Sequence, residues 1–343
     1  MGPPGSHELA VLSWGGQWDR ALRRAVSDPF EAKTGIRVRH EPYVGLDLPD
    51  RLLAPLYAGS CPPVTVVWSN AVAAMRAARE DLCDPLRVEE IPNLAVLHPR
   101  AHPHGFAGWP IVMVYAVLYV LVYQRAAFAE HVVPDSWQVL LDSRHRGKVA
   151  LYPHGNGIHA VAQLLGGGSV ADIPVDMAAC WHFLRRLAPQ VRTLDYSVEM
   201  AESLRRGDLD LCFRALPNAL GFRAAGVDVD WVAPREGVPD TMDAFWIPRH
   251  LPRTAAKRAR QYIDFALSAP VQEQWCGMLG VIPVHPGSTA PEVLWRRGGV
   301  PYTLDDATGL LHVPDWIKLE REHEWRRQFA AVFNERNAGP SST

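Results

Sequence analysis

Closely spaced cysteines are missing from this sequence. Its five cysteines are scattered through 343 residues, and none forms a C-x-x-C pair. This spacing excludes a zinc ribbon and a thioredoxin-like redox motif, which both need such pairs. Because five is an odd number, at least one thiol is unpaired within a monomer. A bridge between Cys180 and Cys212 stays open, and we expect buried free thiols instead.

A strong charge of one sign is also missing. The chain has 35 Lys and Arg residues against 37 Asp and Glu residues, so its formal charge is −2. Nucleic-acid-binding proteins neutralise phosphates with a basic surface, and no dense run of Lys or Arg provides one here. The composition therefore predicts no nucleic-acid partner. A hydrophobic share of 48% and a charged share of 21% predict a globular fold.

Long hydrophobic runs are scarce. The longest, WPIVMVYAVLYVLVY at residues 109–123, is shorter than the roughly 20 residues of a membrane-spanning helix. Its large side chains alternate, with Tyr115 and Tyr119 on one face, which predicts a buried strand. The start of the chain, MGPPGSHE, has neither the basic nor the apolar segment of a secretory signal peptide. Two interpretations follow: a cytoplasmic protein, or the mature form of an exported one.

Short apolar strands alternate with amphipathic helices along the chain, a pattern typical of a parallel α/β sheet. ELAVLSW, IRVRHEPY and VTVVWS predict the first strands. DRALRRAVSDPFEAKTG predicts one helix that ends at Gly35. The helix after VTVVWS begins at a cap formed by Ser69 or Asn70. A second α/β region follows the long apolar strand, and the chain closes with two adjacent helices and a long terminal helix.

The stretch YPHGNGIHAVAQLL, which follows the strand KVAL, admits three interpretations. Gly155, Gly157 and Ala160 match a degenerate dinucleotide fingerprint. His154 and His159 provide half of a metal site. The third interpretation is a helix start that faces another small molecule through its backbone N–H groups, with glycines that let the ligand approach.

The dinucleotide and metal interpretations of this stretch are the weaker ones. The fingerprint lacks its third glycine and lies in the middle of the chain, whereas a Rossmann domain carries it in the first βα turn. The two histidines are five positions apart, which does not place them on one face of a helix. No G-x-S-x-G elbow and no complete P-loop occurs. We therefore expect no cofactor, no metal and no catalytic residue.

Eight segments of the sequence occur in an order that resembles a known family. They are SWGGQW, FEAKTGIRV, VTVVWSNAVAAM, PDSWQVLLDSRHRGKVAL, LRRGDLDLCF, PREG, MDAFWIP and ALSAPVQEQW. In this order they resemble the ABC-transporter solute-binding proteins of the spermidine/putrescine-binding type, a group that also serves opines and phosphonates. The resemblance covers about residues 9–337. It implies ligand binding for transport, without chemistry on the ligand.

The resemblance implies the α/β type II periplasmic-binding-protein fold, in which two lobes joined by crossing hinge strands close on one ligand. We expect lobe 1 at residues 8–114 and 245–290, lobe 2 at 115–244, and a C-terminal extension at 291–343 that packs across the lobes. The family also implies a periplasmic, monomeric protein that binds a small-molecule solute and delivers it to a membrane permease. A cytoplasmic enzyme or sensor on the same scaffold is the alternative.

Polyamine-binding members of this group hold ammonium ions with carboxylates and sandwich the methylene chain between aromatic rings. The acid of their W-M-D signature is present as Asp243, but the aromatic position before it is Thr241. The tryptophan of a second-lobe strand corresponds to Ala215, and two further acids correspond to His154 and Gly157. A polyamine would leave ammonium ions without partners, which is costly once they are desolvated. We therefore expect another ligand, with polyamine as the alternative.

One acid, two helix starts and several tryptophans remain as candidate ligand contacts. They suit a small zwitterionic or anionic nitrogen-containing solute, such as an amino-acid derivative, an opine or an aminophosphonate. The predicted binding residues are Trp14, Gln17, Trp18, Trp68, Ser69, Asn70, Tyr115, His154, Asn156, Thr241 and Asp243. Structural roles compete with several of these: core packing for the tryptophans, helix capping for Ser69 and Asn70, and a hinge contact for Asp243.

Overall fold

Two compact units make up the chain in this computed structural model. Unit 1 comprises Met1–Val117 and Thr241–Asp305, and unit 2 comprises Leu118–Asp240 and Asp306–Thr343. The structure describes residues 8–45, 47–128, 132–195, 200–289, 291–294, 302–306 and 309–334.

The lobe boundaries expected from the sequence stay a prediction, as does the packing of the C-terminal extension across the lobes. Within that extension, the positions outside the described residues are 295–301, 307–308 and 335–343. The chain passes between the two units inside two strands, between Val117 and Leu118 and again between Asp240 and Thr241.

The first part of unit 1 alternates strands and helices, as the sequence predicts. Its elements are β1 (Glu8–Trp14), α1 (Gly16–Leu22), α2 (Asp28–Thr34), β2 (Arg37–Tyr43), α3 (Asp50–Tyr57), β3 (Val66–Asn70), α4 (Ala71–Arg79) and β4 (Cys83–Asp84). The long strand β5 (Val112–Gln124) then leads into unit 2.

Unit 2 continues the α/β alternation. Its elements are β6 (Val149–Leu151), α5 (Ile158–Leu165), α6 (Ala178–Leu187), β7 (Val191–Leu194), α7 (Met200–Arg205), β8 (Leu211–Ala215), α8 (Leu216–Ala224) and β9 (Val229–Val232). The strand β10 (Val238–Pro248) carries the chain back into unit 1.

The last elements complete both units. Unit 1 ends with α9 (Arg253–Leu267), α10 (Ala269–Leu279) and β11 (Ile282–Pro283), and unit 2 ends with β12 (Leu310–Leu311) and α11 (Asp315–Asn334). The two adjacent helices and the long terminal helix expected from the sequence are confirmed. Within the described part of the chain, none of these helices combines the length and the apolar character of a membrane span.

The predicted single helix before Gly35 is interrupted in the structure. It begins at Gly16 and passes through a π-helical turn, Arg23–Ser27, before α2 begins at Asp28. Pro29 stands in the first turn of α2 and has no N–H to donate to the preceding turn, so the regular α-helical ladder is broken there. Gly35 ends the helix with a left-handed φ of 70°, as the sequence predicts.

In unit 1, the sheet brings the ends of three strands to one edge. β1 lies between β2 and β3 and is parallel to both. β10 runs antiparallel to β3, with Asp243 opposite Asn70 and Phe245 opposite Trp68. The strand β10 enters unit 1 at Thr241. The carboxyl ends of β1 and β3 therefore lie beside this part of β10, which places Asp243 at the same edge.

In unit 2, the sheet has a comparable parallel part. β6 lies between β7 and β8 and is parallel to both, while β5 pairs with β8 and β9 in antiparallel fashion. The residues that follow β6 and β8, Tyr152 and Leu216, therefore lie at the same edge of the sheet.

The long apolar run forms the buried strand that its alternation predicts. β5 is buried along all but its last residue, which is typical of a strand covered on both faces. Trp137 and Trp275 are also fully buried, whereas Trp109 and Trp181 are only partly buried.

All five cysteines are free thiols, so the bridge left open between Cys180 and Cys212 is not formed. Burial raises the pKa of the Cys180 thiol to about 12 and that of the Cys212 thiol to about 11. Both thiols are therefore protonated near neutral pH and serve as small apolar side chains.

His159 is a buried histidine on α5, and its ring packs against α11. Its ring centroid lies 4.8 Å from that of Trp325, 5.5 Å from that of Trp181 and 6.2 Å from that of Phe329. Burial, together with the positive charge of Lys318, lowers the pKa of His159 to about 3. The neutral imidazole therefore packs as one more aromatic ring. Among the described residues, no three His, Cys, Asp or Glu side chains group closely enough to hold a metal ion.

This buried imidazole makes the stability of the fold depend on pH. An ordinary histidine titrates near 6.5, whereas the pKa of His159 in the folded chain is about 3. Between these two pH values only the unfolded state takes up the proton. The contribution of His159 to the free energy of unfolding is therefore complete above pH 6.5 and decreases as the pH falls toward 3. His159→Gln should flatten this dependence by about one proton, measured by urea denaturation at a series of pH values.

His182 provides the matched control, because it is exposed on α6 in the same unit. His182→Gln should leave the pH dependence of stability as it is in the wild type. The interpretation of His159 would be wrong if His159→Gln and the wild type lost stability in parallel on acidification.

Candidate functional site

A buried carboxylate lies at the strand edge of unit 1. Asp243 on β10 is 5% exposed. The indole Nε1 of Trp14, at the end of β1, donates to Asp243 Oδ2 over 3.0 Å, and the hydroxyl of Tyr115 on β5 donates to the same oxygen over 2.9 Å. Three of the predicted binding residues are therefore brought together.

Both aromatic donors are neutral. Burial, followed by the negative charge of Asp243, raises the pKa of the Tyr115 hydroxyl well above 10. Tyr115 therefore stays protonated at any physiological pH and keeps donating. Trp14 is held in turn by Tyr43, whose ring stacks on the indole at a centroid distance of 4.8 Å.

Trp68 lies beneath the two predicted tryptophans rather than beside them. Its centroid is 6.4 Å from that of Trp14 and 6.3 Å from that of Trp18, both at an edge-to-face angle. Trp275 packs against it at 5.3 Å, and Trp68 has no exposed surface. Trp14 and Trp18 are partly exposed. This geometry favours ligand contact for Trp14 and Trp18, and a supporting role for Trp68.

Ser69 and Asn70 have different roles at the end of β3. Asn70 is the cap of α4, because its side-chain oxygen accepts a hydrogen bond from the N–H of Ala73 over 2.9 Å. Ser69 is fully buried, and its hydroxyl accepts a hydrogen bond from Trp246 Nε1 over 3.3 Å. The predicted cap is therefore Asn70, and the placement of Ser69 favours packing over ligand binding.

Two further predicted residues of unit 1 lie near this edge in sequence. Gln17 is in the first turn of α1, directly before Trp18, and is partly buried. Thr241 is two positions before Asp243 on β10, on the same side of the strand, and is also partly buried.

A hydrogen-bond chain beneath α1 was not predicted from the sequence. Asp19 Oδ1 accepts from Ser13 Oγ over 2.5 Å and lies 2.6 Å from His40 Nδ1. His40 Nε2 lies 2.7 Å from Ser27 Oγ, which is 2.8 Å from the hydroxyl of Tyr262. These hydrogen bonds link β1, α1, β2 and α9, and thereby position the turn between the two partly exposed tryptophans, Trp14 and Trp18.

The order Asp19, His40, Ser27 has the geometry of a Ser–His–Asp triad, but the serine is out of reach. Ser27 has no exposed surface, and its hydroxyl already bonds to both His40 and Tyr262. Both bonds engage the Ser27 hydroxyl within the protein, so we interpret this hydrogen-bond chain as structural. Burial alone would raise the pKa of Asp19, but hydrogen bonds from His40 and Ser13 outweigh it and lower the pKa below 3.8.

In unit 2, the stretch YPHGNGIH forms a tight turn before α5. A 3₁₀ turn at Pro153–Gly155 follows β6, and His154, Gly155 and Gly157 have φ values of 62°, 72° and 79°. His154 is exposed and Asn156 is partly buried. The cap position of α5 is Gly157, which supplies no side-chain hydrogen bond to the first turn.

The glycines of this turn make room for protein side chains, and the expectation that they also let a ligand approach the backbone stays a prediction. A Cβ on Gly157 would lie 2.7 Å from the ring of Tyr119. A Cβ on Gly155 would lie 2.6 Å from the ring of His159 and 2.8 Å from that of Phe329. Both glycines are therefore required by packing within unit 2.

This close packing predicts a large cost for Gly157→Ala. The methyl group would combine an unfavourable φ of 79° with a collision against Tyr119, and we expect a loss of roughly 3 kcal/mol or more in unfolding free energy. The matched control is Gly207→Ala in the same unit, where φ is 72° and no atom lies within 4 Å of the added group. Urea denaturation of both variants checks the difference, and equal losses would contradict the collision.

Comparisons with known proteins agree with this architecture. Residues 25–301 match the family model described as bacterial extracellular solute-binding protein. Among curated proteins, none has a sequence that matches this chain.

Solved structures of binding proteins share the fold. An ABC transporter substrate-binding protein from Bradyrhizobium japonicum USDA 110 has a TM-score of 0.80 at 18% identity, over 95% of this chain and 99% of that chain. The PBP MotA from A. tumefaciens B6, in complex with glucopine, has a TM-score of 0.76 at 15% identity, over 95% and 99%. The spermidine/putrescine binding protein PotD from Streptococcus pneumoniae has a TM-score of 0.71 at 16% identity, over 95% and 99%.

These identities are low, so the structural likeness shows the fold, while the match to the family model extends over most of the chain. The predicted type II periplasmic-binding-protein fold is confirmed, as is the resemblance to ABC-transporter solute-binding proteins. The chain belongs to the bacterial extracellular solute-binding protein family.

Proposed function

We propose that this ABC-transporter solute-binding protein captures a small zwitterionic or anionic nitrogen-containing solute, such as an amino-acid derivative, an opine or an aminophosphonate. Capture uses closure of the two lobes that the family implies, and the solute passes to a membrane permease. The protein acts as a periplasmic monomer in this proposal, and it performs no chemistry on the solute.

The observation that carries the proposal is the buried carboxylate of Asp243. Trp14 and Tyr115 donate hydrogen bonds to it from neutral groups, and these bonds orient the carboxylate. A solute ammonium group supplies a matching positive charge, and a charge-assisted hydrogen bond in such surroundings is stronger than one between neutral groups. The partly exposed rings of Trp14 and Trp18 add faces on which a cation or an alkyl chain packs.

The residues of unit 2 favour a ligand other than a diamine. The positions that correspond to the polyamine acids are His154 and Gly157, and neither carries a negative charge at neutral pH. The first turn of α5 begins beside them without a side-chain cap, and such helix starts favour anionic groups. One ammonium group and one anionic group therefore suit these residues better than two ammonium groups.

The neighbours named above show that this fold alone does not decide the ligand. MotA is in complex with glucopine, and PotD is a spermidine/putrescine protein. Polyamine is therefore the alternative, and the panel that tests the proposal includes it.

A thermal-shift panel tests the ligand class directly. It contains amino acids, opines, aminophosphonates, putrescine and spermidine, each at high concentration. A solute present at 100 times its dissociation constant adds about 2.7 kcal/mol to the unfolding free energy, which raises the melting temperature measurably. We expect a zwitterionic member to give the largest shift. A larger shift with spermidine would overturn the proposed class in favour of polyamines.

Asp243→Asn tests the anchor, because the amide keeps the size and the acceptor oxygen but removes the charge. Calorimetric titration with the best solute of the panel should give a dissociation constant at least about thirtyfold weaker than that of the wild type. Asp28→Asn, at an exposed position of the same unit, should bind like the wild type. Unchanged binding by Asp243→Asn would remove Asp243 from the site.

A further inference from the structure

Arg214 is a buried cation near the end of β8 in unit 2. It is 1% exposed. Its guanidinium lies over the ring of Tyr152, with the central carbon 4.4 Å from the ring centroid. Neither residue was among those predicted from the sequence.

The hydrogen bonds of this guanidinium go to neutral groups. Nη1 donates to the carbonyl of Phe213 over 2.7 Å, Nη2 donates to the carbonyl of Asp195 over 2.9 Å, and Nε donates to Met200 Sδ over 3.0 Å. A guanidinium has five N–H donors, so these bonds leave two of them for another acceptor. Among the described residues, no carboxylate forms a salt bridge with Arg214.

Arg260, a second buried arginine among the described residues, has charged partners instead. That guanidinium, on α9, pairs with Asp84 over 2.6 Å and with Glu90 over 3.0 Å. A buried charge is costly unless an opposite charge compensates it. Arg260 meets this requirement within the protein, whereas Arg214 meets it only through carbonyl dipoles, a thioether and an aromatic face.

Arg214 lies near the carboxyl-terminal end of β8, at one edge of the unit 2 sheet. Tyr152 directly follows β6, and Asp195 directly follows β7, so the guanidinium spans the carboxyl-terminal edge of three parallel strands. Ligands of open α/β sheets bind outside this edge. The uncapped start of α5 follows β6 at the same edge.

We propose that Arg214 is the anion-binding residue of the solute site, and that it takes the carboxylate or phosphonate group of the solute. The inference rests on the function proposed above and narrows it: the solute is acidic at one end. The planar guanidinium matches the two oxygens of such a group, and the ring of Tyr152 fixes the plane.

Acetate is the first probe, because it presents a carboxylate and nothing else. The melting temperature of the full chain is recorded against acetate, with chloride replaced at constant ionic strength. We expect a saturating rise in the wild type that disappears in Arg214→Met and weakens in Arg214→Lys. Absence of the rise in the wild type, or its persistence in Arg214→Met, would overturn the proposal.

Arg223→Met is the matched control. Arg223 also lies over an aromatic ring, with its guanidinium carbon 5.1 Å from the centroid of Trp231, but it is exposed and pairs with Asp230 over 3.4 Å. Its variant should respond to acetate like the wild type. In chloride alone, Arg214→Met should melt no lower than the wild type, because it removes a buried charge that pairs with no acid among the described residues; a much lower melting temperature would indicate a structural role instead.

Calorimetric titration with the best solute of the panel separates this inference from the proposed function. Arg214→Met should weaken binding at least about thirtyfold and Arg214→Lys about tenfold. If Arg214→Met binds that solute like the wild type while Asp243→Asn does not, the role of Arg214 is wrong and the function stands. If no nitrogen-containing solute binds but acetate stabilises only proteins with Arg214, the proposed function fails and the anion site stands.

Discussion

The hydrogen bonds to the buried carboxylate of Asp243 are the constraint on which the edge of unit 1 depends. The two donors come from β1 and β5 and stand 229 and 128 positions away in sequence. A carboxylate with 5% exposure is costly without such donors. The three strands therefore have to meet at one point, and this requirement orients the side chain of Trp14 before any ligand is present.

The position of Trp14 is transmitted to its neighbours by packing. Tyr43 stacks on one face of the indole, and Trp68 meets it edge-to-face. The turn after β1 is held from below by the hydrogen bonds that join Asp19 to His40 and Ser13. Preorganisation of this kind lowers the entropy that a ligand must otherwise remove from the binding residues.

Sequence patterns predicted those features that depend on neighbours along the chain. The buried strand β5 follows from its continuous apolar run, the helix end from Gly35, and the cap of α4 from the polar residues at the end of β3. The order of the motifs, which resembles that of a known family, also predicted the fold. These signals are local, so one sequence is enough to find them.

The features that were missed depend on contacts between distant segments. Burial of Trp68 results from Trp275, more than two hundred positions later. Gly157 is needed because Tyr119, on another strand, occupies the space of a Cβ. The sequence of β8 does not show that Arg214 is buried, or that it pairs with no acid among the described residues. Sequence spacing contains no signal for any of these three.

Charges held by neutral groups have a property that ion pairs lack. A ligand that binds to Arg260 would first have to displace Asp84 and Glu90, and that displacement would cancel most of the gain in free energy. Carbonyl groups and an aromatic face hold Arg214, and an indole and a phenol donate to Asp243. In the role proposed for Arg214, an anionic solute adds to its contacts without displacing any acid among the described residues.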